Sequence, residues 1–296
     1  MDRFQSMRAL TRVVETGSFS AAARDLRIGQ PAVSKAIAAL EAQLGARLLI
    51  RSTRGLMPSE AGQVFYERAK RALAEADEAW VGAKGAGAGL EGRLRVCAPV
   101  TFSRLHIAPR LGGFFAAHPK LRLELIMDDR HIDLVEENID IALRLGDLPD
   151  SSMVARKLAS AERVLVASPA YLQGRPHPKT PSNLSQFEAI LYLQGAGNEE
   201  WSFRRGGARQ SVRMPSRLAC TAAEGVREAV LAGLGIAMVS RWMMAPELDS
   251  GLVLRLLEGW ELPAIDLFAV FPSGRLPSAK ARAFAAWFEG VMAMPA

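Results

Sequence analysis

Residues 18–44, SFSAAARDLRIGQPAVSKAIAALEAQL, are rich in helix-building residues, yet RIGQP interrupts them. No other feature constrains the fold as strongly. Pro31 restricts Gln30 to extended backbone or a helix start, and Gly29 accepts a positive φ, so the chain can turn sharply and restart. Two helices at a steep angle are expected. Ser18, with Ser20 as the alternative, caps a first helix that runs to about Leu26; the second spans Gln30–Leu44 and stops at Gly45. On the second helix Val33, Ile37, Leu40 and Leu44 recur at helical spacing, while Gln30, Pro31, Ser34, Lys35 and Ala38 fall on the other side.

One face is therefore core and the other is small, polar and open. A helix enters a DNA major groove only where its side chains are short enough for close approach or reach the base edges with polar groups. Gln30 and Lys35 can reach, and Ser34 can bond a phosphate. A plain αα-hairpin with a solvated polar face is the alternative for this stretch. The charge distribution bears on the choice: residues 1–57 hold nine Lys or Arg against four Asp or Glu, whereas the remaining 239 hold 28 against 27. Basicity concentrated in the N-terminal unit suits a phosphate backbone.

The flanks extend this reading. Phe4, Met7, Leu10, Val13 and Val14 make an amphipathic helix ending near Gly17. LLIRSTRGLMP reads as a hairpin, with strands at 48–51 and 56–58 around a turn closed by Gly55, so Arg51 and Arg54 project from a small wing. Residues 1–58 are thus expected to form a winged helix-turn-helix that binds double-stranded DNA. From residue 59, Ala61, Phe65, Ala69, Leu73, Ala76 and Trp80 repeat every three to four residues, along a helix ~35 Å long. A second copy of the chain would cover that stripe, making 59–81 a dimerisation helix with Phe65, Leu73 and Trp80 on its seam; packing onto its own domain is the alternative. GAKGAGAGLEG, residues 82–92, reads as a flexible hinge. Its glycines follow a helix and precede a strand, the reverse of a dinucleotide-binding loop.

A chain of 296 residues is long for one domain, and beyond the hinge strands and helices alternate. LRVCAPV precedes a helix at about 103–118; LRLELIMDD, DLVEEN, DIALRLG and ERVLVAS follow, then RLACT, AAEGVREAVLAGLG, IAMVS, DLFAVF and a last helix at 278–292. Such alternation implies α/β sheets with parallel strands. Residues 93–296 suit two α/β lobes, one about 93–162 with 267–296 and the other about 163–266, with crossovers near 162–163 and 265–267. Ligands of open α/β sheets collect beyond the carboxyl ends of the strands. Thr101, Phe102 and Ser103 follow one such strand, Thr221 another, and Arg144 with Gly146 ends a third. Capping of helix starts is the simpler role for the hydroxyls. As a set they suit a small polar, anionic effector such as an organic acid.

Other chemistries find little support. Cys97 and Cys220 have no neighbouring ligand residues, and His106, His118, His131 and His177 lack metal-site spacing, so no metal or other cofactor is expected. GxSxG, HExxH and P-loop motifs are absent, and adjacent Asp128 and Asp129 on a strand would point to opposite faces. An enzyme is not expected. No apolar run approaches a membrane span, and MDRFQSMRAL lacks a signal-peptide apolar segment, so a cytoplasmic chain with no membrane partner is expected.

Taken whole, the chain resembles the LysR-type transcriptional regulators. SFSAAARDLRIGQPAVSKAIAALEAQLGARLLIRSTRGLMPSEAG is similar to that family's N-terminal signature, including Glu60-Ala61-Gly62. DLVEENIDIALRLGDLPDSSMVARKL and AVLAGLGIAMVS resemble its effector domain, particularly a branch with CrgA-like regulators. The resemblance implies a two-lobed effector domain like that of periplasmic binding proteins, a homodimer or homotetramer, and DNA contacts that shift when a small molecule enters the cleft. It places Gln30, Pro31, Ser34, Lys35, Arg51 and Arg54 at DNA, and Thr101, Phe102, Ser103, Gly146 and Thr221 in the cleft. Two departures stand out: Gly29 replaces the usual capping Ser, and ACTAAEG stands where an Asn-Asp pair is common. Weaker capping and a less hydrogen-bonded ligand are the expected consequences.

Overall fold

The computed structural model describes residues 2–52, 55–83, 89–148, 153–193, 199–273 and 276–293, in two compact units, Met1–Ala88 and Gly89–Ala296.

The first unit opens with α1 (Arg3–Thr16). The Asp2 carboxylate caps it by accepting from the Gln5 amide at 2.7 Å, and Gly17, at φ 63°, ends it. Ser18 caps α2 (Phe19–Leu26) through the Ala21 amide, as the sequence predicts. The reversal then differs from expectation. Arg27, not Gly29, takes the left-handed conformation (φ 55°), because the Arg27 and Ile28 amides fold back onto the carbonyls of Arg24 and Ala23. Gly29 is extended (φ −68°), as the residue before a helix must be, and α3 (Gln30–Leu44) starts there without a side-chain cap.

Ala9, Leu10, Val13, Ala22, Val33, Ala36, Ile37, Leu40 and Leu48 form the core of this unit. Leu44, expected on that face, is instead 47% exposed, since α3 outruns the elements that cover it. The wing pairs β1 (Leu49–Ser52) with β2 (Gly55–Pro58) antiparallel. It is tied to α3 by Glu41, whose carboxylate accepts from the Leu48 amide at 2.7 Å and the Leu49 amide at 3.2 Å. α4 (Glu60–Ala83) is capped by Ser59 and approaches the wing so closely that a Cβ on Gly62 would lie 1.8 Å from the Leu48 carbonyl oxygen.

The second unit holds two five-stranded sheets and a hairpin. The first sheet is ordered β4-β3-β5-β14-β6, with β3 Glu91–Ala98, β4 Lys120–Met127, β5 Ile141–Leu145, β6 Val154–Ala161 and β14 Ile265–Phe271. The second is ordered β11-β8-β12-β7-β13, with β7 Arg163–Ala167, β8 Ala189–Tyr192, β11 Ser216–Cys220, β12 Ile236–Ser240 and β13 Leu254–Leu256. β9 (Glu200–Arg205) and β10 (Ala208–Arg213) form the hairpin.

Each sheet is mixed rather than parallel throughout: β3 runs parallel to β4 and β5, whereas β14 is antiparallel to β5 and β6. The second sheet repeats the pattern, with β12 parallel to β8 and antiparallel to β7. The antiparallel strands are those at the crossovers. The chain leaves the first sheet at Glu162, and at Ile265 it is already back, paired with Ala161. The helical run expected from residue 103 begins at Val100 and changes pitch over Ser103–Arg110, where Pro109 lacks the amide that a regular helix needs. DLVEEN forms turns rather than a helix, with Asp133 accepting from the amides of Val135 and Glu136.

Candidate DNA-reading face and ligand cavity

Helical periodicity sorts α3 cleanly. Val33, Ala36, Ile37 and Leu40 are buried, and Gln30, Pro31, Ser34, Lys35 and Ala38 are exposed. Gln30 accepts from the Ser20 hydroxyl at 3.1 Å, which fixes its amide over the start of α3. The first eleven residues of α3 carry no acidic side chain; Glu41, the first, is used by the wing. The uncapped helix start leaves amide groups and a partial positive charge there. Arg54 lies outside the described residues, as do the side chains of Arg51 and Trp80.

The dimerisation stripe is partly accounted for by the protomer itself. Phe65 is half-buried against the core of the first unit, and Ala69 and Leu73 are buried within the chain. The first turns of α4 therefore pack onto their own domain, the alternative the sequence left open, and Phe65 keeps an exposed part that a second copy could cover.

In the second unit a cavity of about 810 Å³ opens at the strand ends between the two sheets. Thr101, Phe102 and Gly146 line it, where the strand-end rule puts them. Phe102 is 4% exposed and meets Trp242 edge-on at a centroid distance of 5.7 Å. Ser103, Arg144 and Thr221 do not line it. Ser103 is turned inside the helical run and fully buried; Arg144 is buried with its guanidinium on the Arg130 carbonyl at 2.7 Å; Thr221 is exposed, and Ala222 rather than Thr221 precedes the helix Ala223–Leu231.

Asp129 organises this edge of the unit. This buried carboxylate accepts from the Val100 amide and the Ala223 amide, each at 3.0 Å, so one side chain from the first sheet satisfies helix starts on both sides of the cavity. Beside it the Thr101 hydroxyl donates to Glu224 at 2.7 Å, and Arg104 donates to the same carboxylate at 3.1 Å. Burial alone would raise the Glu224 carboxyl, but the Thr101 hydroxyl and Arg104 outweigh it and hold it below the usual range. His106 adds a further tie, its Nε2 lying 2.7 Å from the Trp242 carbonyl; a carbonyl only accepts, so Nε2 carries the hydrogen and donates, and burial keeps this imidazole below its ordinary pKa.

Sequence reasoning missed several of the cavity's residues: His131, Asp147, Arg163, Trp201, Met238 and Trp242. They arrive from separated stretches, and no local pattern joins them. Arg163 carried the one available signal, as the residue next to an expected crossover. Among the described residues, no group of three or more His, Cys, Asp or Glu could hold a metal ion, and no helix is long and apolar enough to cross a membrane.

This architecture matches known proteins over nearly the whole chain. Residues 4–63 match the bacterial regulatory helix-turn-helix protein, lysR family, and residues 87–293 match the LysR substrate binding domain. The chain is 35% identical to the HTH-type transcriptional regulator PtxR of Pseudomonas aeruginosa, over 93% of this chain and 88% of that one. It is 31% identical to the HTH-type transcriptional activator TtdR of Escherichia coli, over 98% and 95%. Among solved structures, CrgA of Neisseria meningitidis superposes with a TM-score of 0.60 at 26% identity, covering 97% of each chain. The Vibrio cholerae virulence activator AphB gives 0.57 at 28%, over 98% and 99%. With both domain types in order and relatives matched end to end, the chain belongs to the LysR family of transcriptional regulators.

Proposed function

We propose that α3 reads double-stranded DNA in the major groove through Gln30, Pro31, Ser34 and Lys35, with Arg51 and Arg54 of the wing on adjacent phosphates. The division of α3 into a buried apolar face and an open face free of acidic groups carries this reading. A small-molecule effector enters the cavity of the second unit and, by changing how the two sheets sit, alters the DNA contacts of a dimer or tetramer. The cytoplasm is where such a chain meets its DNA. The protein acts by binding and not by catalysis.

Competition binding tests this. Fluorescence anisotropy on DNA from upstream of the protein's own gene, at near-physiological salt, should show that scrambled competitor displaces the protein poorly. Lys35→Ala should weaken binding with the fold retained and lower the salt slope by about one counterion if Lys35 meets a phosphate. Full affinity in Lys35→Ala, or equal displacement by scrambled DNA, contradicts the reading.

A further inference from the structure

Among the described residues Arg163 is the one Lys or Arg that lines the second unit's cavity, and two carboxylates, Asp129 and Glu224, lie behind its wall at Ala223 and Thr101. At that edge, the helix starts that would attract a ligand's carboxylate are already filled by Asp129, through the Val100 and Ala223 amides. Glu224 takes the Thr101 hydroxyl and is itself paired with Arg104 and Arg227. Arg144 is held by the Arg130 carbonyl and does not line the cavity, so it offers no donor there. An anionic group placed there would find its natural donors taken.

The opposite holds at Arg163. Its half-buried guanidinium lines the cavity, and burial works against its charge more than the field of Asp147 supports it. Among the described residues it forms no ion pair, and its recorded hydrogen bond is a long one, 3.4 Å, to the Pro263 carbonyl. A guanidinium has five N–H donors in a planar fork that matches an oxyanion. Most of the rest of the wall is apolar or aromatic, with Phe102, Trp201, Met238 and Trp242 among its members beside the polar Thr101, His131, Asp147 and Ser240, and its volume is that of a site for a small organic molecule.

Given a ligand in this cavity, the reading on which this rests, we infer that the site selects an amphipathic aromatic anion. Its flat apolar body lies among Phe102, Trp201, Met238 and Trp242, and its single anionic head forms a forked pair with Arg163. The position of Arg163 gives the pairing a consequence. It directly follows Glu162, where the chain leaves the first sheet, and its bond to Pro263 reaches the segment just before the returning strand, so a ligand that engages Arg163 acts on both connections between the sheets. Asp147 repels the head group in part and sets an upper limit on affinity.

Two dyes with the same aromatic frame test this on the full chain: anilinonaphthalene sulfonate, and phenylnaphthylamine, which lacks the sulfonate. The wild type should bind the sulfonate about tenfold more tightly, the low end for a charge-assisted pair. Arg163→Met should bring the two affinities within about twofold, retained binding of the neutral dye showing that the cavity is intact. Arg163→Lys, which keeps the charge and loses the fork, should keep a reduced preference. No preference in the wild type, or a full preference in Arg163→Met, overturns the inference. Should Arg163→Met lose both dyes through misfolding, Arg163→Lys decides, and an undiminished preference there is equally fatal. Leu148→Trp, which fills the cavity, separates the two levels of the account. If it binds both dyes like the wild type, the cavity is not the site; if it loses both while Arg163→Met keeps its preference, the assignment to Arg163 alone fails.

Discussion

Gly62→Ala tests how the wing is held against the DNA-reading helix. An added Cβ would stand 1.8 Å from the Leu48 carbonyl oxygen and 2.7 Å from its carbon, both backbone atoms, so α4 or the wing must move by about 1 Å. The same carbonyl accepts from the Ser59 amide at 2.9 Å, the bond that joins the wing to the start of α4. Overpacking of this kind costs about 1–3 kcal/mol, and weakening that bond adds about 1 kcal/mol. Replacing glycine by alanine inside a helix returns up to about 1 kcal/mol. The net expectation is a loss of about 2 kcal/mol confined to the first unit, or roughly 10 °C in its transition. Differential scanning calorimetry on the full chain should show the first unit's transition falling while the second unit's stays. DNA affinity should fall as well, since Leu48 leads directly into the wing. An unchanged transition with unchanged DNA binding would refute the reasoning.

Three further perturbations follow from the second unit and from α3. Asp129→Ala leaves the Val100 and Ala223 amides without their acceptor and should cost about 2 kcal/mol or more, lowering the second unit's transition by roughly 4–8 °C; Asp129→Asn should lie between, and wild-type stability in both would contradict the bridging role. His106 and His131 are held below the ordinary value of 6.5, chiefly by burial, so the unfolded chain binds more protons than the folded one in acid. Their contribution is complete above about pH 6.5 and is lost as the pH falls below it; the double variant His106→Gln, His131→Gln should flatten denaturant-derived stability over that window, and an unchanged slope would count against it. Gln30→Ala should relax base preference more than affinity, in contrast to Lys35→Ala, and selection from randomised sites distinguishes the two.

The helix-turn-helix was legible because its information is local: periodic apolar residues, Ser18 and Gly45 specify α2 and α3 nearly to the residue. The left-handed residue at its turn was not, because hydrogen bonds from the end of α2 place it at Arg27 although a glycine stands two residues on. In the second unit the strand-end rule found Thr101, Phe102 and Gly146. Ser103, Arg144 and Thr221 stay off the cavity's wall: Arg144 is held by the Arg130 carbonyl, and a hydroxyl near a helix start says nothing about a competitor for that start from elsewhere. Asp129 is that competitor, and 94 residues separate it from the Ala223 amide it accepts from. The mixed sheets escaped for a related reason: β6 and β14 read as ordinary strands, and only their pairing across the crossovers shows them antiparallel to their neighbours.

The most direct test of the DNA-reading account is a footprint of the purified protein on the intergenic DNA upstream of its own gene, at near-physiological salt. The account predicts a discrete, partly palindromic protected site that Lys35→Ala loses first. Uniform protection along the fragment, or none, would contradict it.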